Sequence, residues 1–293
     1  MQKTGKVFYG SAVALATPFL DGRVDYDSLG RLIDYQIEGG TDAIVVLGTT
    51  GEAPTVSEEE RCEIIEFSKN RINGRVPLIV GTGTNSTESS VRYTKSAEEC
   101  GANAVLCVTP YYNKPGARGM ALHYEEIAKS TSLPIILYNV PSRTGVSLSA
   151  DTLSYLQEIP SIVGIKEASG NISFIEEIIS KFENRFDIYT GNDDLTYATL
   201  SLGGSGVISV AANLVPRKMH ELCASFSGGS VEKSHKIQLE LLPLIRELFY
   251  ETNPVPIKRA LFEIGLIKSY EMRPPLQKST REKEIKAVIK NLF

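Results

Sequence analysis

Cysteine and histidine are scarce in this chain, four and three in 293 residues, and none is placed for a metal. Cys62, Cys100, Cys107 and Cys223 show no C-x-x-C spacing, and His123, His220 and His235 lie far apart, which argues against a structural zinc site or a disulfide framework and for buried free thiols. A basic stripe is also missing. The 31 basic and 35 acidic residues are interspersed to a net charge of −4, so nucleic acid is not the expected partner. No apolar run approaches a membrane span, and the opening MQKTGKVFYGSAVALATPF lacks the flanks and length of a signal peptide, so a cytoplasmic protein is expected. Without secretion, the N-x-[ST] matches at Asn85 and Asn171 carry no weight.

What is present is the material of an ordinary globular core, with 42% apolar and 23% charged residues. Short runs rich in Val, Ile and Leu start at Gly10, Ala43, Pro77, Ala104, Pro134, Ile162, Phe186 and Gly206. Helical periodicity fills the intervals, as over 27–38, 57–70, 87–99, 119–130, 149–159 and 172–182. Ser57 with Glu60 fits a capping box, Ser149 is placed to cap the helix after it, and Gly39-Gly40 and Gly101 supply stops. Eight such strand and helix units argue for a (β/α)8 TIM barrel over residues 1–229. An open doubly wound sheet has the same rhythm, but no G-x-G-x-x-G follows the first strand, and reactive residues collect at the ends of many strands. Residues 230–293 read as a C-terminal helical extension over 230–250, 256–265 and 280–293. Its first helix carries Leu239, Leu241, Leu242, Leu244, Ile245, Leu248 and Phe249, enough apolar surface to require packing on the barrel or on a second subunit.

In a parallel barrel the C-terminal strand ends meet on one face. Here they carry Thr17, GTTGE (48–52), GTGTN (81–85), TPYYN (109–113), YNVPSRTG (138–145), Lys166-Glu167, TGNDD (190–194) and ISVAAN (208–213). This rim is rich in hydroxyls, with one amine and one guanidinium standing out. The amine is the anomaly. Lys166 lies in IVGIKEASG, an apolar run bounded by Pro160 and Ser169-Gly170 that reads as a strand buried on both faces. Burial disfavours a charged amine, and an amine kept neutral attacks carbonyl carbon; the imine it forms is an electron sink that needs neither metal nor cofactor. The plain alternative is an ion pair with Glu167 or another carboxylate. Tyr138 could move protons for imine chemistry or simply pack; Thr49, Thr50 and Tyr112 are open in the same way. Flanked by Gly48 and Gly51, the two threonines mark a turn before a helix whose amides suit a carboxylate. Arg143 suits a second carboxylate, or a solvated loop. The G-G-S-G at 203–206 precedes its strand and belongs on the opposite face, away from any phosphate site.

GTTGE, TPYYN, YNVPSRTG and GIKEA, in that order, closely resemble the dihydrodipicolinate synthase family, within the lyase group that includes N-acetylneuraminate lyase. The likeness runs from FYGSAVALATPF to ETNPVPIK (251–258) and implies a class I aldolase built as a barrel with a helical tail. It implies that Lys166 forms a Schiff base with pyruvate, that Tyr138 donates and accepts protons, and that Thr49 and Tyr112 complete a relay, Tyr112 reaching into a neighbouring subunit's site. Thr50, the main chain of Ile208 and backbone near Gly191 would bind pyruvate, and Arg143 the carboxylate of L-aspartate 4-semialdehyde. The implied product is a hydroxytetrahydrodipicolinate, leading to diaminopimelate and lysine, and the implied assembly is a homotetramer. Neuraminate-lyase-like members carry a non-basic residue in place of Arg143 and serine in place of Thr49, so another pyruvate-dependent aldolase is the second choice. Lysine-inhibited members tend to have histidine where this chain has Glu58 and Arg61, and an acidic residue at Ser89, although Asn85 and Tyr111 are retained and Glu88 is one place off. Feedback inhibition is therefore expected to be weak or absent.

Overall fold

A computed structural model describes residues 7–182 and 185–290. Each of the eight apolar runs contains a strand: β1 (Gly10–Ala14), β2 (Ala43–Val46), β3 (Leu78–Gly81), β4 (Ala104–Val108), β5 (Ile135–Asn139), β6 (Ile162–Glu167), β7 (Asp187–Thr190) and β8 (Gly206–Ser209). Every strand pairs in parallel with its sequence neighbour, and β8 closes on β1 with Gly206 opposite Gly10, giving a (β/α)8 barrel. The seam explains the G-G-S-G. Gly206 has φ +146°, and a Cβ there would lie 1.9 Å from the Gly10 carbonyl oxygen. Its glycine is thus spent on closing the barrel, at the strand's start and away from the rim.

Strand periodicity divides the interior in two. Ala12, Val45, Ile79, Leu106, Ile136, Tyr138 and Ile208 pack inside the barrel. Val13, Ile44, Val80, Val105, Leu137, Ile165 and Val207 pack outward against the helices. At the barrel floor the Phe8 ring stacks on Tyr189, whose hydroxyl donates to the Phe8 carbonyl at 2.7 Å.

The surrounding helices are α1 (Tyr26–Glu38), α2 (Glu58–Ile72), α3 (Thr87–Glu99), α4 (Ala117–Lys129), α5 (Ala150–Leu156), α6 (Ile172–Phe182), α7 (Thr196–Ser201) and α8 (Pro216–Ser227). Ser57 and Glu60 form the capping box of α2, and the Ser149 hydroxyl caps α5. The six-residue α7 is too short for periodicity to reveal. Beyond Gly228-Gly229 the tail forms α9 (Val231–Leu248), α10 (Val255–Glu263) and α11 (Glu282–Lys290); residues 291–293 of the last anticipated helix lie outside the described residues. Leu241, Leu244, Ile245 and Leu248 bury against the barrel core, whereas Leu239 and Phe249 stay exposed. Among the described residues no helix is long and apolar enough to cross a membrane, and the four cysteines are free thiols.

Candidate active site

Lys166 is the penultimate residue of β6, a strand buried along its whole length, and the residue is 5% exposed. The register of β5 and β6 sets Tyr138 opposite Lys166, and the Lys166 Nζ lies 4.5 Å from the centroid of the Tyr138 ring. Glu167 is not its partner. Adjacent strand residues face opposite ways, and the Glu167 carboxylate accepts from Asn139 Nδ2 at 2.7 Å and from the Ser169 amide at 2.6 Å. Burial pushes this carboxyl up, while those bonds hold it down.

Room for the lysine comes from Gly191. A Cβ there would fall 2.8 Å from Lys166 Cε and 2.6 Å from Ala168 Cβ. The Gly191 amide donates to the Glu167 carbonyl at 2.7 Å, which fixes its backbone beside the lysine. Just after it stands Asp193, fully buried, whose Oδ2 accepts from the amides of Val210 at 3.1 Å and Ala211 at 2.8 Å. Burial raises its carboxyl pKa; the Ser209 hydroxyl, those amides and the charge of Lys166 oppose the rise. Ile208, fully buried inside the barrel, belongs to the strand that Asp193 anchors.

A cavity of about 510 Å³ opens at this end of the barrel, and Thr49, Tyr111, Tyr138, Arg143 and Asn253 are among the residues that line it. Three side chains anticipated from the sequence therefore meet there, Thr49, Tyr138 and Arg143. Lys166 joins them through the Tyr138 ring, and Thr50 through Asn253, whose Nδ2 donates to its hydroxyl at 3.0 Å. Arg143 lies in the short turn Pro141–Thr144, ended by Gly145 at φ +69°, and its Nη2 donates to the Asn253 carbonyl at 2.9 Å.

The anion cradle differs from expectation. No helix of useful length follows Gly48–Glu52, only the three-residue 3₁₀ turn Ala53–Thr55, because Pro54 and the Ser57 cap delay α2. The amides of Gly51 and Glu52 bond back to the carbonyls of Gly48 at 3.1 Å and Thr49 at 3.1 Å. The turn stands without a helix dipole behind it, and its shape is held from the tail instead. Glu52, in the left-handed region at φ 53°, accepts from Lys258 Nζ at 2.6 Å, with both side chains buried. The Glu52, Lys258 and Asn253 connections escape sequence inspection, since they join positions about two hundred residues apart with no local pattern.

Tyr112 is not brought into the cavity of its own chain. It projects outward, 88% exposed, with φ +70°. A bulky residue held in that backbone region is rare and concentrates at functional positions.

The sequence model of the dihydrodipicolinate synthetase family matches residues 7–292. The chain belongs to that family. A 4-hydroxy-tetrahydrodipicolinate synthase of Acetivibrio thermocellus is 49% identical over 260 residues, covering 89% of this chain and 88% of the relative. Among solved structures of the dihydrodipicolinate synthetase family, the crystal structure of the Thermotoga maritima dihydrodipicolinate synthase superposes with a TM-score of 0.95 at 44% identity, covering 97% of this chain and 98% of that one. A protein described as the first monomeric dihydrodipicolinate synthase variant superposes with a TM-score of 0.94, also at 44% identity, over 97% and 96% of the two chains.

Proposed function

We propose that this protein is a lyase of the class I aldolase type that condenses pyruvate with L-aspartate 4-semialdehyde to 4-hydroxy-tetrahydrodipicolinate, through a Schiff base on Lys166, in lysine and diaminopimelate biosynthesis. The observation that carries the mechanism is the amine of Lys166, buried over the Tyr138 ring in space that Gly191 leaves open. Names of relatives at 49% and 46% identity support the overall reaction.

The Lys166 nitrogen adds to C2 of pyruvate, and the resulting carbinolamine loses one water to give the iminium. A C3 proton then leaves, and the enamine carbon attacks the aldehyde, whose oxygen takes up a proton. The substrate's own amino group finally displaces the lysine nitrogen as the ring closes, so one water is lost overall and the amine is regenerated. Tyr138, with Thr49 and Tyr112, serves these proton movements, and a positioned proton donor is worth about a hundredfold or more. Thr50 and the backbone near Ile208 hold the pyruvate carboxylate; Gly191 keeps the lysine's approach open. Arg143 holds the carboxylate of the semialdehyde, and fixing both anions brings the reacting carbons together.

This reading includes a cytoplasmic homotetramer in which the exposed Tyr112 of one subunit completes the site of another. Its exposure and backbone strain support that role. It also retains a barrel unit over 1–229 and a helical unit over 230–293. Arg143 and Thr49 favour the semialdehyde over a sugar acid. Borohydride with pyruvate should trap an adduct on Lys166, and a coupled assay should turn over aspartate semialdehyde but not N-acetylneuraminate; adduct formation with turnover only of the sugar acid would replace the synthase by its aldolase relative.

A further inference from the structure

The C-terminal extension contributes Asn253, Pro254, Pro275 and Leu276 to the cavity wall, and Asn253, between α9 and α10, is the one that bonds to both Thr50 and Arg143. It is 5% exposed and touches both anion-binding positions at once. Its main-chain carbonyl accepts from Arg143 Nη2 at 2.9 Å, and its side-chain Nδ2 donates to the Thr50 hydroxyl at 3.0 Å. Its Oδ1 is buried and has no partner among the described residues. That arrangement has a chemical consequence. A hydroxyl that accepts a hydrogen bond keeps its own proton for donation, and donation and acceptance through one oxygen strengthen each other. Reversing the amide would turn the Thr50 proton toward Oδ1 and offer an incoming carboxylate only lone pairs.

We propose that Asn253 is a positioning residue that orients the Thr50 hydroxyl as a donor to the carboxylate of the keto acid, so that the helical tail sets the affinity for the first substrate. This rests on the reading of Thr50 as a pyruvate ligand. Because the side chain serves Thr50 and the main chain serves Arg143, side-chain substitutions should separate the two substrates.

The test is the pyruvate concentration that half-saturates borohydride trapping on the full-length protein, measured without the second substrate, alongside KM for both substrates and kcat. Asn253→Ala should raise the half-saturating pyruvate about tenfold, the value of one hydrogen bond of ordinary strength. Asn253→Asp, which keeps the volume but replaces the donor by an acceptor, should raise it further than Ala does. KM for aspartate semialdehyde and kcat should move by less than about threefold in both. In a Thr50→Val background, which has no hydroxyl to orient, Asn253→Ala should change half-saturation by less than about twofold. Parallel rises in both KM values, an Asp variant that binds pyruvate as well as wild type, or an undiminished effect without the Thr50 hydroxyl would each overturn the proposal. Should the Ala variant fail to fold, the nearly isosteric Asp variant decides against wild type. A wild-type protein that pyruvate does not trap would instead sink the Schiff-base reading itself.

Discussion

Two lysines are buried among the described residues, and they are opposites. Lys258 in α10 is fully buried and spends its charge: Nζ meets Glu52 Oε1 at 2.6 Å and lies 4.3 Å from the centroid of the Phe19 ring. Burial pushes its pKa down and the Glu52 carboxylate pulls it back. Lys166 in β6 is buried almost as deeply but forms no ion pair among the described residues; its nitrogen rests against an aromatic face, with the Asp193 carboxylate acting only as a background charge. A buried lysine held by a carboxylate is a structural group, whereas one without such a partner fits the nucleophile proposed above. Depth of burial does not separate the two roles; the partner does.

The sharpest way to break the contrast is to exchange the consequences. Lys166→Ala should abolish borohydride trapping and lower turnover on the order of 10⁴-fold, as loss of a covalent nucleophile does, with the melting temperature little changed. Retained trapping would mean that another amine carries the reaction. Lys258→Ala should do the reverse, costing about 3–5 kcal/mol of stability by leaving the Glu52 carboxylate buried without its counter-charge. Denaturant unfolding measures it, and at low temperature the folded fraction should still be trapped by pyruvate. If Lys258→Ala stopped trapping while leaving stability intact, the assignment of roles would have to be inverted.

How far the sequence discloses this contrast depends on the range of the interactions. The eight strands were legible because each is a short apolar run between turn residues, and Lys166 stood out because a cation interrupts one of them. That it avoids Glu167 followed only from strand geometry, which turns neighbours to opposite faces. Lys258 gave no signal of its own. Its partner lies 206 positions away, and ETNPVPIK reads locally as a plain helix start. The cradle at Thr49-Thr50 departs from its local pattern for the same reason. GTTGE looks like a turn feeding a helix, but Pro54 and the Ser57 cap postpone that helix, and the restraint comes from the far end of the chain through Glu52 and Asn253.

A free amine is useful only if protons can leave and return, so Tyr112 extends the comparison. Tyr112→Phe should lower turnover by more than tenfold, toward a hundredfold, if the exposed hydroxyl completes the relay of a neighbouring subunit. Trapping by pyruvate should persist at a slower rate, since Lys166 is untouched. Dilution of the wild type to dissociate subunits should reproduce the loss, and unchanged turnover in Tyr112→Phe would remove the residue from the relay.

The smallest expected effect concerns a third buried cation, intermediate between the two lysines. Arg61 in α2 donates to the Gly81 carbonyl and its guanidinium carbon lies 4.4 Å from the centroid of the Tyr93 ring, while Glu58 beside it pairs with Arg92 at 2.8 Å. Burial lowers its pKa, yet a guanidinium keeps its proton and therefore its charge. Arg61 lines the same cavity as Tyr111 and Thr84. A free lysine molecule entering that lobe would bring its ammonium groups toward a fixed positive charge with the nearest carboxylate already engaged. Added L-lysine up to about millimolar concentration should therefore leave turnover nearly unchanged, at ionic strengths where screening is modest. Half-inhibition at submillimolar lysine would show that Arg61 swings away from Tyr93 on binding, and that its charge, unlike that of Lys258, is not committed to the fold.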